Sequence, residues 1–204
     1  MKELSNVQGL LHWRPVADEA GQIRSNEDLD ADALARRRLA LAQIRQYPDP
    51  ALRMEAREVT EFDDALRSLA ARMTLLMTDA NGIGLAATQV GTLQRLFVFR
   101  PGDDDEPRTV VNPRIVESSS ETDVDDEGCL SLQRVLVPVE RPVRVTLGGQ
   151  DLDGDDVRLE LEGMGARCVQ HELDHLDGVL ILDRTTKDAR RDAMATLRRQ
   201  LSIA

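Results

Sequence analysis

The sequence predicts one domain that mixes helices with short strands. Three observations carry this expectation. The apolar residues Phe62, Leu66, Leu69, Ala70, Met73, Leu76 and Met77 recur at helical spacing. After Gly91 the texture changes to short β-prone runs. Helical spacing then returns in His171-Glu172-Leu173-Asp174-His175 and again along Ala189, Ala193, Met194, Leu197 and Leu201.

A chain of 204 residues fits one domain, or one domain with an appendage, and is long enough to bury a core and a pocket. Residues 1 to 43 read as an N-terminal extension of mixed charge, with an Ala/Arg/Leu-rich stretch from Asp32 to Gln43 suited to a helix. Tyr47-Pro48-Asp49-Pro50 is a turn, because the residue before each proline is pushed away from helical geometry. The β-prone runs are Leu96 to Phe99, Thr109 to Val111, Ile115 to Val116, Val135 to Val139, Val143 to Leu147 and Val157 to Leu161. In the last, Val157, Leu159 and Leu161 alternate with Arg158 and Glu160, the period of a half-buried strand. Asp151-Leu152-Asp153-Gly154-Asp155-Asp156 has the acidic spacing of a calcium loop. Asp156 stands where such a loop requires glycine, so a hairpin turn is expected instead.

Aromatic residues make up 2% of the chain and hydrophobic residues 41%, so the core must rest on Leu, Val, Ile, Ala and Met. The net charge of −11 argues against a surface built broadly for DNA or other nucleic acid. Between Pro101 and Glu127 ten carboxylates face two arginines, which reads as solvated loops and hairpin ends. No apolar run approaches the roughly 18 residues of a membrane span, and Met1 to Leu11 lacks a basic segment followed by an apolar one. A cytoplasmic protein with Cys129 and Cys168 as free thiols is expected.

His171-Glu172-Leu173-Asp174-His175 is the strongest chemical signal. Histidines four apart on a helix share a face, so both imidazoles reach one metal while Glu172 lies beside the water it would deprotonate. A catalytic metal site needs a third protein ligand and an open position. Cys129, in Glu127-Gly128-Cys129-Leu130-Ser131, offers a thiolate suited to zinc or ferrous iron. Residue chemistry alone reads it equally as a small buried core residue. Gly82-Ile83-Gly84-Leu85-Ala86-Ala87-Thr88-Gln89 superficially matches a dinucleotide fingerprint. It follows a helix where that motif must follow a strand, and small residues ending in one amide suit a segment lining a substrate, with Ile83 and Gly84 as contacts.

In this order and spacing, G-I-G-L-A-A-T-Q, E-G-C-L-S and Q-H-E-L-D-H-L-D-G resemble the three signature motifs of the peptide deformylase family. Tyr47 to Arg53, Val111-Asn112-Pro113, Pro138 to Pro142, Gly178-Val179-Leu180 and Asp183-Arg184 are similar to its flanking text. The resemblance covers residues 44 to 186, a deformylase-like catalytic domain, and leaves outside it the extension and a basic amphipathic C-terminal helix over 187 to 204. It implies an α+β fold in which antiparallel β-sheets surround a central HExxH-bearing helix. It implies one divalent metal ion held by Cys129, His171 and His175, iron(II) being expected, with zinc, nickel or cobalt as alternatives. Glu172 is implied as general base and acid, with Gln89 and the Leu130 backbone N–H polarising a formyl oxygen. The implied reaction removes the N-formyl group from the N-terminal formyl-methionine of nascent polypeptides and releases formate. Thr88 and Gln133 depart from the family pattern, each standing where proline is common, and bear on loop shape and substrate preference.

Cys168 lies three residues before His171, on the ligand-bearing face, and reads as pocket lining or core. Glu127 and Arg141 are expected to pair and to hold the ligand loop. From Arg184 to Ala204 six basic residues face two acidic ones, so the last helix suits docking on ribosomal RNA through phosphates, or is an ordinary terminal helix packed on the domain. Two rival functions share HExxH: a zincin-type endopeptidase, which needs no E-G-C-L-S segment, and a non-catalytic metal-stabilised binding domain, which needs no Glu172.

Overall fold

The computed structural model describes residues 29–102 and 105–201, together with the backbone of two short strands, β1 (Glu19–Ala20) and β2 (Ile23–Arg24), which pair antiparallel. The expectations for residues 1–18, including the reading of Met1 to Leu11, lie outside the described residues.

Helix α1 (Ala31–Leu41) starts at Asp30, whose carboxylate accepts from the Ala33 N–H at 2.7 Å, satisfying one of the open donors of the first turn. Its Ala40 and Leu41, with Ile44, are buried against α2 (Asp64–Asp79), so this end of the stretch belongs to the core. Asp63 caps α2 in the same way, its carboxylate accepting from Leu66 N–H at 2.9 Å. The apolar face read from the sequence is the buried one, with Leu66, Ala70, Met73, Leu76 and Met77 enclosed.

A five-stranded sheet follows, all antiparallel, in the spatial order β3 (Gly84–Ala86), β4 (Leu96–Phe99), β5 (Arg108–Ser118), β8 (Arg144–Gln150), β9 (Asp156–Glu162). A second, two-stranded ribbon pairs β6 (Thr122–Cys129) with β7 (Leu132–Pro142). Strand β4 is buried on both faces, which is why it reads as an unbroken apolar run. Leu96 and Val98 face the cluster under α2, while Phe97 and Phe99 face α3 (Gly163–Leu176). Phe97 and Phe99 meet edge to face, ring centroids 5.7 Å apart. The helix bearing the histidines is thus pressed onto the middle of the sheet, and it also touches the β6–β7 ribbon.

Half of the acidic run expected in solvated loops and hairpin ends is instead strand, Glu117 on β5 and four residues on β6, while Asp105, Glu106 and Glu121 lie between strands as expected. β6 carries Asp123, Asp125, Asp126 and Glu127 despite the poor β-propensity of Asp. Pairing with β7 overrides propensity there, because the outer residues stay solvated while Glu127 turns inward to buried partners. The Asp151 turn is a hairpin, as expected: its Oδ1 accepts from the N–H groups of Asp153 and Asp155 at 2.8 and 3.0 Å.

After a short α4 (Ile181–Arg184), α5 (Lys187–Leu201) lays Ala193 and Leu197 onto β7, in a cluster with Val135, Val137 and Val139. Arg190, Arg191, Arg198 and Arg199 remain exposed.

Candidate metal centre

Cys129 is the last residue of β6, just before the tight Leu130-Ser131 turn into β7. The ladder slips there: Gly128 faces Leu136, but Cys129 faces Leu132. Gln133, Arg134 and Val135 are the extra residues on β7, and Arg134 takes a φ of 62° to absorb them. This bulge turns the thiol inward, toward α3.

There the Cys129 sulfur and one nitrogen each of His171 and His175 all lie within 4.8 Å of one another, and all three residues are buried. Cys129 Sγ is 3.2 Å from His175 Nε2. His171 Nδ1 is 3.0 Å from Glu127 Oε2. An ionised carboxylate offers only lone pairs, so in the neutral ring Nδ1 carries the proton and Nε2 presents its lone pair. That Nε2 is buried with no hydrogen-bond partner among the described residues, an arrangement that costs stability unless something accepts the lone pair. The His175 ring packs edge-on against His171, centroids 4.9 Å apart.

The electrostatics fit a cation. Burial, and next the neighbouring His171, hold His175 well below the ordinary histidine range, which keeps it a neutral donor. Burial also pushes the Cys129 thiol up, with Glu172 adding to it and the Ser131 N–H opposing. A thiolate there calls for a positive ion beside it. One thiolate and two imidazoles are the mixed S/N donor set of a transition metal, with a coordination position left over.

Glu127 anchors this arrangement. Its Oε1 accepts from Arg141 Nε at 2.8 Å and Arg167 Nη1 at 3.0 Å, and its Oε2 from Arg141 Nη2 at 2.9 Å. Burial alone would raise its carboxyl, but the bonds from Arg141 and His171 outweigh that and hold it well below the usual carboxylate range. The expected Glu127–Arg141 pair is therefore present and bidentate. The network continues through Asp174, which accepts from Arg141 Nη1 at 2.7 Å and from Arg184 Nη2 at 2.5 Å. Arg167, Asp174 and Arg184 were not singled out in the sequence. The available signal was that Arg167 and Asp174 lie four before and three after His171, on its face of α3.

The glycine-rich segment approaches from the other side. Gly84 in β3 sits against Glu172: a Cβ there would overlap the Glu172 carboxylate and lie 2.8 Å from Cys168 Sγ. Cys168 is fully buried, its thiol donating to the Ile83 carbonyl at 3.5 Å, and Ile83 joins the same apolar cluster. Gln89 closes a short helical turn. Its Oε1 accepts from Ala86 N–H at 2.9 Å, and its Nε2 donates to Ser131 Oγ at 3.0 Å with Cys129 Sγ 3.8 Å away. Thr88 donates from its hydroxyl to the His175 carbonyl at 3.1 Å. The Leu130 carbonyl accepts from Gln46 Nε2 at 3.1 Å, Gln46 Oε1 accepts from Gln133 Nε2 at 2.9 Å, and the Gln133 carbonyl accepts from Gln200 Nε2 at 3.0 Å.

All three signature segments thus meet at one buried point. A family model described as polypeptide deformylase matches residues 41–191. The chain belongs to this family. Peptide deformylase of Thermotoga neapolitana is 48% identical over 149 residues, 73% of this chain and 89% of that protein. The crystal structure of the Thermotoga maritima deformylase superposes with a TM-score of 0.67 at 47% identity, covering 70% of this chain and 96% of that one. A deformylase from Legionella pneumophila gives a TM-score of 0.74 at 37% identity, covering 78% and 95%. The deformylase neighbours share the α+β arrangement of helix and antiparallel sheet described above. No helix among the described residues is long and apolar enough to cross a membrane.

Proposed function

We propose that Cys129, His171 and His175 hold the divalent ion of this deformylase, that Glu172 carries the proton, and that Gln89 and the Leu130 N–H face the formyl oxygen. The chain is a metal-dependent hydrolase that removes the N-formyl group from nascent peptides. What supports the residue assignment is the meeting of one thiol from the end of β6 with two imidazoles from α3, ligand atoms within 4.8 Å of one another, with Glu172 next to His171 on that helix. Iron(II) is the ion we assign, and zinc, nickel or cobalt suit the same donors.

When bound, such an ion supplies a Lewis acid that brings the pKa of water toward about 7. Glu172 then takes the water proton and delivers it to the leaving amine, so one carboxyl serves as base and acid. As charge develops on the formyl oxygen, Gln89 and the Leu130 N–H meet it; loss of one such donor costs about 10²–10³ in rate. A formyl carbon bears only hydrogen, so a close-fitting site turns away longer acyl groups. Ile83 and the HExxH face of α3 are assigned to the methionine side chain, with Gly84 and Cys168 shaping the wall behind Glu172.

The test is release of formate from formyl-Met-Ala by the purified protein, with metal content measured anaerobically. Formate release in step with one ion per chain is expected. Cleavage of internal bonds in casein without activity on formyl-Met-Ala would select the endopeptidase instead.

We assign the protein to the cytoplasm, where nascent chains emerge. The exposed arginines of α5 suit ribosomal phosphates, although Arg191 is within 2.9 Å of Asp188. Replacing Arg190, Arg191, Arg198 and Arg199 by Glu should weaken ribosome co-sedimentation at low salt and spare formyl-Met-Ala turnover. Unchanged sedimentation at every salt concentration would leave α5 as packing alone.

A further inference from the structure

Arg167 has no part in the motifs, yet it is buried and each of its bonds crosses from one element to another. It stands one helical turn before His171 on α3. Its Nη1 donates to Glu127 Oε1 at 3.0 Å and to the Val139 carbonyl at 2.8 Å, and its Nη2 donates to the Asp123 carbonyl at 3.1 Å. Asp123 and Glu127 lie on β6, and Val139 on β7. One guanidinium therefore holds both strands of the ribbon that ends in Cys129, and it is rooted in the helix that carries His171 and His175.

We propose that Arg167 is a positioning residue that fixes the thiol-bearing ribbon against the two-histidine helix and, by holding Glu127, fixes which nitrogen of His171 faces the ion. This rests on the assignment of Cys129, His171 and His175 as ligands. A planar fork with several donors matches three acceptors at set angles, which an ammonium cannot do. Arg141 also bonds Glu127 twice, but from β7 of the same ribbon, so loss of Arg167 leaves the carboxylate paired while removing the bond that sets it against the turn of α3 before His171. What disappears is the guanidinium rooted in α3 that reaches both strands of the ribbon, while Arg141 to Asp174, Gln170 to the Pro142 carbonyl and His171 to Glu127 still join ribbon and helix. Partners that orient metal ligands from behind typically change metal affinity or activity by about 10–100-fold.

The test uses the full chain loaded with cobalt(II) and compares the parent with Arg167→Met and Arg167→Lys. Cobalt loss to a chelator is followed through the thiolate-to-cobalt absorption, and the His171 tautomer is read by 15N NMR in metal-free protein. Arg167→Met should lose cobalt about tenfold faster or more, weaken the thiolate band and populate both His171 tautomers. Arg167→Lys, reaching fewer of the acceptors, should fall between. Folded variants with parental cobalt loss and an unchanged tautomer would overturn the proposal even if their melting temperatures fell. Should Arg167→Met fail to fold, Arg167→Lys decides by the same readings. Failure of the parent to bind one cobalt per chain would instead refute the ligand assignment, and the metal-free tautomer would still decide whether Arg167 governs His171.

Discussion

Glu172 occupies the space that any side chain at position 84 would need. A Cβ on Gly84 would overlap the Glu172 carboxylate, and no backbone atom stands among its nearest neighbours. Gly84→Ala is therefore expected to move the carboxylate without breaking the fold. We expect kcat on formyl-Met-Ala to fall about 10²-fold or more, since positioned proton transfer contributes about 10²–10⁴, with metal content and melting temperature near parental. A parental kcat in this variant would separate Gly84 from the chemistry.

Glu172 and Cys129 are separable by what each loses. Glu172→Ala should keep its metal and lose deformylation, because it removes the proton carrier and none of the three donors. Cys129→Ser should lose the metal, since a hydroxyl is a far poorer donor than a thiolate. Metal analysis alongside formate release distinguishes the two, and undiminished metal in Cys129→Ser would remove that residue from the ligand set.

Thr88 and Gln133, the two departures from the family pattern, both make bonds that proline cannot donate. Thr88 ties the Gln89 turn to the carbonyl of His175, and Gln133 ties the bulge beside Cys129 to Gln46. Thr88→Val is expected to destabilise by about 1 kcal/mol in urea unfolding, with Thr88→Ser closer to the parent. The His175 carbonyl also accepts from the Gly178 N–H at 3.2 Å, so the loss stays modest. A Thr88→Val midpoint equal to the parent's would show that this bond adds nothing.

Asp183 sets a pH dependence. Burial alone would raise its carboxyl, but the bonds from Arg53 and the Leu180 N–H hold it below the ordinary value. A depressed folded pKa contributes stability above the unfolded value, about 3.9, and that contribution is lost as pH falls through the folded value. Asp183→Asn should thus be less stable than the parent at neutral pH, with the difference shrinking below about pH 4. Urea midpoints across a pH series measure this, and a gap of constant size down to about pH 2 would contradict it.

That His171 and His175 would share a face was legible because two imidazoles one helical turn apart need no tertiary information to do so, and both gather with Cys129 in the structure. The β-runs were legible where alternation or unbroken apolarity marked them, as in β9 and β4. β6 was hidden because its acidic side chains argue for loop, and only the partner strand, joined through an irregular turn, makes it a strand. Arg167 was hidden for another reason. Its acceptors include two backbone carbonyls, and among 26 basic and 37 acidic residues nothing local says which arginine is buried against which carboxylate. Glu127–Arg141 could be read because both fall inside motif text. Arg184 reaches Asp174 from beyond the end of α3.

The buried set of Glu127, Arg141, Arg167 and Asp174 also bears on how this protein responds to engineering. Taking such charges out of water is costly, and well-packed apolar replacements of a whole buried ionic cluster are often neutral or stabilising by about 1–4 kcal/mol. A selection for heat resistance alone would therefore tend to replace these four residues together, favouring a tougher protein in which nothing orients His171 or holds the strand that ends in Cys129. Thermostabilised libraries of this chain should be screened for metal retention before melting temperature, with those four positions held fixed.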